Sequence, residues 1–208
     1  MKRQFREFGG DRPLFTLTPV QVVGGFTLDP AQTNLTKGAV IPAGTLSRVD
    51  ENSRLALIIK SARVVAIAAG DAKVVTLESD EFSKPIFTIN DLIGKDLTAT
   101  LANTPKITAI TETADGMQIT LSKAITGLAV GDALFEVVAD GTNVKLLAEP
   151  NSITITDIEV KEAGDTGIDV TRNTGNGEAY ARRLPPVPAS LLEGNVLKGT
   201  KVAYTYSL

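Results

Sequence analysis

The sequence predicts an all-β fold of small β-barrel or sandwich blocks, with an extended N-terminal arm and almost no helix. Thr, Val and Ile number 24, 18 and 15, which makes 57 of the 208 residues β-branched. Such side chains pack well on a pleated sheet, and their stiff χ1 angles disfavour helices. Short apolar segments also recur between Gly, Pro, Asn and Asp residues, which is the pattern of short strands joined by tight turns.

The composition excludes several classes of chemistry. The chain has no Cys, His or Trp, and 24 acidic against 21 basic side chains give a net charge of −3. Without Cys and His there is no Ser-His-Asp triad, thiolate nucleophile, disulfide framework or zinc ribbon. A near-neutral charge gives no general attraction to nucleic acid, and the longest apolar runs are too short to span a bilayer. The sequence therefore predicts no enzyme, cofactor or metal, and neither nucleic acid nor membrane as a partner.

Residues 1–35 are predicted to form the extended arm. Pro13 and Pro19 remove backbone donors and bias their neighbours away from helix. The segment is nevertheless too apolar for a solvated tail, and the side chains expected to anchor it are Phe5, Phe8, Leu14, Phe15 and Leu17. Two interpretations stay open: an ordered edge strand on its own domain, or an arm that docks on another subunit.

Residues 36–68 together with 139–208 are predicted to form the main β domain. Thr45–Val49 and Arg54–Ile59 form a hairpin around four turn-forming residues. Further strands are expected over 61–68, 152–160 with a bulge near Asp157, 167–171 and 201–206, and one helical turn is expected over 189–193.

Residues 69–138 are predicted to be an inserted small barrel-like domain. Its strands are expected at 73–77, 86–89, 97–101, 106–110 and 117–121. The segments 87–93 and 128–134 share a pattern of an apolar residue, a polar turn and a return to apolar residues, which suggests a faint internal repeat. Asp91 and Asp132 within them are interpreted as turn residues that bond to the backbone.

Clusters of charged side chains give few candidate sites. The oxygen-rich segment 165–178 does not match the alternating ligands of a calcium loop and is interpreted as a solvated hairpin. The adjacent carboxylates at 50–51 and 80–81 point to opposite faces of a strand, so neither pair makes an acid–base couple. Arg182 and Arg183 are interpreted first as a solvated rim, and alternatively as part of an attachment surface.

A family resemblance appears in the order of several short motifs. These are Lys37-Gly38-Ala39-Val40-Ile41-Pro42-Ala43-Gly44-Thr45-Leu46, Val49-Asp50-Glu51-Asn52-Ser53-Arg54, Lys60-Ser61-Ala62-Arg63-Val64-Val65-Ala66, Ala179-Tyr180-Ala181-Arg182-Arg183-Leu184-Pro185-Pro186 and Tyr204-Thr205-Tyr206-Ser207. The chain thereby resembles the head-fibre and capsid decoration proteins of tailed bacteriophages and prophages. The resemblance implies a non-enzymatic protein that binds the outside of an icosahedral shell, commonly as a trimer.

The function expected from these observations is that of a structural virion protein. It would be made in the cytoplasm of the bacterial host and would bind the major capsid protein through its arm and outer β domain, with Arg182 and Arg183 beside the apolar anchors. Strand addition at a sheet edge would be the mechanism. The alternative is an adhesive module in which 69–138 binds a glycan or receptor, which requires exposed aromatic side chains among Phe82, Phe87 and Phe135.

Overall fold

The computed structural model describes residues 13–22, 25–80, 83–162, 164–171 and 174–206. Within these ranges the protein is nearly all β, with two one-turn 3-10 helices at Leu101–Asn103 and Ala189–Leu191. The predicted all-β class is confirmed. None of the helical segments in the described ranges has the length and apolarity needed to cross a membrane.

The strands are short and follow one another through tight turns. They are β1 (Phe15–Leu17), β2 (Phe26–Leu28), β3 (Val40–Ile41), β4 (Leu46–Asp50), β5 (Leu55–Ile59), β6 (Ser61–Ile67), β7 (Val74–Leu77), β8 (Leu92–Gly94), β9 (Ile107–Thr113), β10 (Gly116–Leu121), β11 (Ala133–Asp140), β12 (Asn143–Leu146), β13 (Ser152–Ile153), β14 (Ile158–Glu159), β15 (Gly167–Ile168), β16 (Gly177–Tyr180), β17 (Leu192–Glu193), β18 (Val196–Leu197) and β19 (Val202–Thr205).

The first sheet has the strand order β1-β16-β19-β18-β17. β16 and β19 are parallel, and the other pairs are antiparallel. The buried side chains on this sheet belong to a first core that extends from Leu14 to Tyr204 and includes Ile59 and Phe135. Residues far apart in the chain therefore meet in this core.

The second sheet has the order β12-β11-β6-β7-β10-β9, with β8 paired to β11. Its core consists of apolar residues between Ala62 and Leu134. The predicted hairpin of β9 and β10 is confirmed, with residues 114–115 as the turn between the strands. β6, which the sequence pattern places in the main domain, pairs with β7 and contributes Ala62 and Val64 to this second core.

A third group of strands consists of a five-stranded sheet, β13-β4-β5-β2-β15, and the small pair β14-β3. The predicted hairpin of β4 and β5 is confirmed over five residue pairs. A third core lies between these strands and includes Phe26, Ile58 and Ile158. The strand predicted over 152–160 is broken into β13 and β14, and Asp157 Oδ1 in the break accepts a hydrogen bond of 2.8 Å from the Ala43 N–H.

The described part of the predicted arm lies on the chain's own sheets. β1 pairs with β16, and β2 pairs with β5 and β15. This is the first of the two interpretations drawn from the sequence. Contact of the same segment with another subunit stays a prediction, and Phe5 and Phe8 lie outside the described residues.

The predictions of strands at 86–89 and at 97–101, in the middle of the chain, are wrong. Ile86 and Phe87 are buried, but the backbone at 86–89 pairs with none of the described strands and turns instead at 88–91. At 97–101 the Asp96 carboxylate accepts hydrogen bonds from the Thr98 N–H (2.9 Å) and Thr98 Oγ1 (2.7 Å), which bends the chain. In both places a local side-chain bond to the backbone competes with the sheet ladder.

Candidate functional site

The predicted attachment residues that the structure describes lie at or near the edge of the first sheet. β1 is the edge strand, with β16 on its inner side. Leu14 is buried, and Phe15 is half-buried against the first core. Leu17 and Val20 are 54% and 47% exposed. The segment thus anchors itself through Leu14 and Phe15 and presents Leu17 and Val20 to solvent.

The two arginines face different neighbours. Arg183 Nη1 donates a hydrogen bond of 2.7 Å to the Pro13 carbonyl oxygen, and its guanidinium lies 4.3 Å from the centroid of the Tyr180 ring. Arg182 Nη2 lies 3.4 Å from a carboxylate oxygen of Glu78, which also pairs with Arg63. Arg183 therefore belongs to the β1 edge and holds its start, whereas Arg182 points to the end of β7.

A second candidate site is a buried polar cluster that the sequence did not predict. We call it the junction cluster, and its members are Asn34, Lys60, Thr88, Asp91 and Glu136. Lys60 is fully buried between β5 and β6, and the Asp91 side chain is only 3% exposed. Burial of unscreened charges is costly, so a lysine at this depth requires close partners.

The position of Lys60 explains the name of the cluster. The preceding residues Ile58 and Ile59 belong to the third and first cores, and Ala62 belongs to the second. Lys60 therefore lies where the three apolar cores meet.

The Lys60 ammonium is held by three oxygens. Its Nζ lies 2.7 Å from Asp91 Oδ2 and 2.5 Å from the Asn34 carbonyl oxygen, and 3.4 Å from Thr88 Oγ1. All three donor hydrogens of the ammonium group thus have an acceptor within reach.

The Asp91 carboxylate accepts bonds on both of its oxygens. Oδ2 receives the Thr88 N–H at 2.7 Å in addition to Lys60. Oδ1 receives Thr88 Oγ1 at 2.9 Å and Asn34 Nδ2 at 3.1 Å. The predicted role of Asp91 as a turn residue bonded to the backbone is confirmed, but the aspartate also serves as the counter-ion of a buried lysine.

Glu136 completes the junction cluster from β11. Its backbone N–H donates to the Lys60 carbonyl oxygen at 3.0 Å, and its Oε1 accepts a hydrogen bond from Asn34 Nδ2. Its Oε2 is buried and has no hydrogen-bond partner among the described residues. Burial raises the pKa of Glu136 above the ordinary carboxyl value and the nearby Asp91 charge adds to the rise, although Lys60 and the Asn34 bond oppose it.

Two local signals in the sequence could have pointed to this site. Lys60 directly follows the apolar run 55–59, and Glu136 lies between Phe135 and Val137 in another. A charged residue inside an apolar strand is rarely buried without a partner. The partners themselves carry no such signal, since Asn34, Thr88 and Asp91 are ordinary turn residues.

A surface cleft of about 800 Å³ lies beside the first core. It is lined by polar and charged side chains of both signs, including Arg48, Lys145, Glu149 and Lys198. Its lining includes no buried charged group, and no cluster of metal-ligating side chains occurs in the part of the chain that the structure describes. The cleft is therefore a weaker candidate for a functional site than the junction cluster.

Comparison with known proteins finds no matching family model, no matching curated protein and no matching solved structure.

Proposed function

We propose that this chain is a non-enzymatic structural protein of a tailed-phage or prophage virion that binds the outside of the capsid. It is made in the host cytoplasm, and its partner is the major capsid protein. The resemblance of the motifs at 37–54, 60–66 and 179–186 to head-fibre and decoration proteins supports this role. The observation that carries the proposal is the edge strand β1, with its exposed apolar residues Leu17 and Val20.

Strand addition is the proposed mechanism of attachment. An edge strand has unpaired backbone N–H and C=O groups that can pair with a strand of another chain. β1 is paired only with β16 in the described structure, so its outer side can accept such a strand. Leu17 would be covered in the contact, and full burial of one leucine contributes about 1.5–3 kcal/mol.

Self-association is part of the same proposal. The resemblance implies trimers, and a closed trimer would place three β1 edges on one assembly. Light scattering of the full chain measures this directly, with a trimeric mass expected and a monomeric mass contradicting it.

Co-sedimentation with capsids tests the attachment surface. We expect the wild-type chain to pellet with shells of its own phage, and Leu17→Asp and Val20→Asp to reduce the bound fraction at least tenfold, because a carboxylate opposes burial in the contact. Ile89→Asp and Val130→Asp are matched controls, since those apolar residues are 56% and 65% exposed elsewhere on the surface. Equal loss in all four variants, or no loss at Leu17 and Val20, would contradict attachment through β1.

The adhesive alternative is less well supported. Of the three aromatic residues in 69–138, Phe87 and Phe135 are buried at 5% and 0% exposure, and Phe82 lies outside the described residues. The described part of this block therefore presents no aromatic platform for a sugar ring. Specific binding of the full chain to a glycan array, without binding to shells, would favour the alternative.

A further inference from the structure

We propose that Lys60 and Asp91 become joined by an intramolecular amide bond between Lys60 Nζ and Asp91 Cγ, with Glu136 transferring protons during its formation. This inference goes beyond the proposed function and is independent of it. A chain that never binds a capsid could still carry the bond, and a capsid-binding chain could lack it.

The first support is the placement of the two reacting groups. Lys60 Nζ lies 2.7 Å from Asp91 Oδ2, and both side chains are almost completely removed from solvent. The amine and the carboxyl group are therefore held in contact by the fold. Holding two reactants in this way removes the entropic cost of bringing them together, which is worth about 7–11 kcal/mol in well-oriented systems.

The second support is the set of donors around Asp91 Oδ1. Attack of an amine on the carboxyl carbon places negative charge on one carboxyl oxygen. Oδ1 already accepts hydrogen bonds from Thr88 Oγ1 at 2.9 Å and Asn34 Nδ2 at 3.1 Å. Two preorganised donors at the oxygen where charge develops are the usual means of stabilising such an intermediate.

The third support is the unpartnered oxygen of Glu136. This side chain is only 4% exposed, its Oε2 has no partner among the described residues, and Asn34 Nδ2 bonds to both Glu136 and Asp91. Each of the two carboxyl groups consequently lies within hydrogen-bond distance of the same amide nitrogen. Burial also raises the pKa of Glu136, which suits a group that must accept a proton and then return it.

The reaction balances without a cofactor or an oxidant. A proton passes from Nζ to the Asp91 carboxylate along their hydrogen bond, which leaves a neutral amine and a carboxylic acid. Nζ then attacks Cγ, and a C–N bond forms. Glu136 takes a proton from the nitrogen and delivers it to the departing hydroxyl group. The C–O bond breaks, and one water molecule leaves. In sum, one ammonium and one carboxylate give one amide and one water.

The product also removes a physical cost of the starting state. A buried ion pair is stabilised less by its mutual attraction than it loses by leaving water, unless its geometry is very favourable. The amide carries no charge, and its N–H and C=O groups can use the partners that now surround Lys60 and Asp91. The bond would connect Lys60, which lies between β5 and β6, covalently to Asp91 in the turn before β8. The chain has no cysteine that could form a disulfide in its place.

Mass spectrometry of the denatured full-length chain is the direct test. We expect a mass lower than that of the sequence by one water molecule. After trypsin digestion we expect peptide 55–63, uncleaved at Lys60, joined to peptide 74–95, which contains Asp91 and the trypsin-resistant Lys84–Pro85 bond. An unchanged mass, or an ordinary peptide that ends at Lys60, would overturn the proposal.

Variants assign the roles of the individual groups. Lys60→Met must restore the full mass, and a persistent loss of water in this variant would place the dehydration elsewhere and overturn the bond. Glu136→Gln keeps the shape of the side chain but cannot transfer the proton, so we expect at least a tenfold lower linked fraction. Glu78→Gln is the matched control, because Glu78 is another largely buried carboxylate beside a cation, and it should leave the link intact. Full linkage in Glu136→Gln would overturn the role given to Glu136.

Discussion

The turns at 88–91 and 129–132 have the same backbone geometry but lie in different surroundings. In each, the N–H of the aspartate donates to the carbonyl oxygen of the first residue at 3.2 Å. In each, the aspartate carboxylate accepts the N–H of that first residue, at 2.7 and 2.9 Å. The third residues, Asn90 and Gly131, both have positive φ, 75° and 94°. The two segments therefore share a turn geometry, and the faint internal repeat suggested by the sequence stays a prediction.

The two aspartates differ in burial and in the cation beside them. Asp91 is buried against Lys60, whereas Asp132 is 35% exposed and lies 3.6 Å from Lys95, itself 28% exposed. The same backbone turn thus lies at the surface at 129–132, whereas at 88–91 it holds the counter-ion of a buried lysine and gains a side-chain hydrogen bond from Thr88. Tertiary position, and not the turn motif, decides the importance of the residue.

Removing each aspartate carboxylate in turn should show the largest difference in stability between the turns at 88–91 and 129–132. We expect Asp91→Ala to lower the free energy of unfolding by at least about 3–5 kcal/mol, because it leaves Lys60 buried with neither a counter-ion nor the proposed amide bond. Asp132→Ala should cost about 1 kcal/mol, the value of one lost hydrogen bond. Urea denaturation measures both, and Asp91→Asn serves if the alanine variant does not fold. Equal losses would contradict the comparison.

Glu136, which lies beside the turn at 88–91, should make the stability of the fold depend on pH. Because the folded state raises the pKa of Glu136, the folded protein retains this proton at pH values where the unfolded chain has released it. The stability that this retained proton contributes is fully present below the ordinary carboxyl pKa, and it is lost as pH rises through the raised pKa of Glu136 in the folded state. Asp91 faces Glu136 and strengthens this effect, whereas Lys60 and Asn34 oppose it.

Unfolding measurements across the acidic and neutral range test this sign. We expect the wild-type chain to lose stability relative to Glu136→Gln as pH rises, because glutamine has no proton to release. A difference between the two proteins that is constant with pH, or that changes in the opposite direction, would show that Glu136 is not held in its protonated form.

Substitutions of the third residue of each turn, Asn90 and Gly131, should cause the smallest changes in stability. Gly131→Ala should lower stability by about 1 kcal/mol, because alanine is strained at positive φ. Apart from the two neighbouring residues, no atom of the described residues lies within 4 Å of the added methyl group, so no clash contributes. Asn90→Gly should change stability by less than about 0.5 kcal/mol, since asparagine tolerates this conformation. Thermal melting measures the stability of both variants. If Gly131→Ala lost as much stability as Asp91→Ala, backbone strain, and not the buried charge, would explain the difference between the two turns.

Local patterns predicted the parts of the fold that depend on neighbouring residues. The hairpins β4–β5 and β9–β10 follow from β-branched runs separated by turn residues. The helical turn expected at 189–193 is present as a 3-10 turn, and the following residues form β17. At 86–89 the same reasoning failed, because the β-branched composition there belongs to a turn whose geometry Asp91 determines.

The junction cluster could not be predicted because its members come together only in the folded chain. Lys60 and Asp91 are 31 positions apart, and Asn34 and Glu136 are 102 apart. No spacing rule joins residues over such distances. The β1 edge was easier to anticipate, since apolar side chains between prolines already mark 13–20 as extended.

The parallel pairing of β16 and β19 has a consequence for the order in which the polypeptide matures during translation. β19 lies between β16 and β18, so the first sheet stays split until Val202–Thr205 has left the ribosome. The apolar residues of the second core, by contrast, have all been synthesised once Leu134 has been added. A nascent chain should therefore fold its middle portion early and recruit β1 only after its partner strand β16 has emerged.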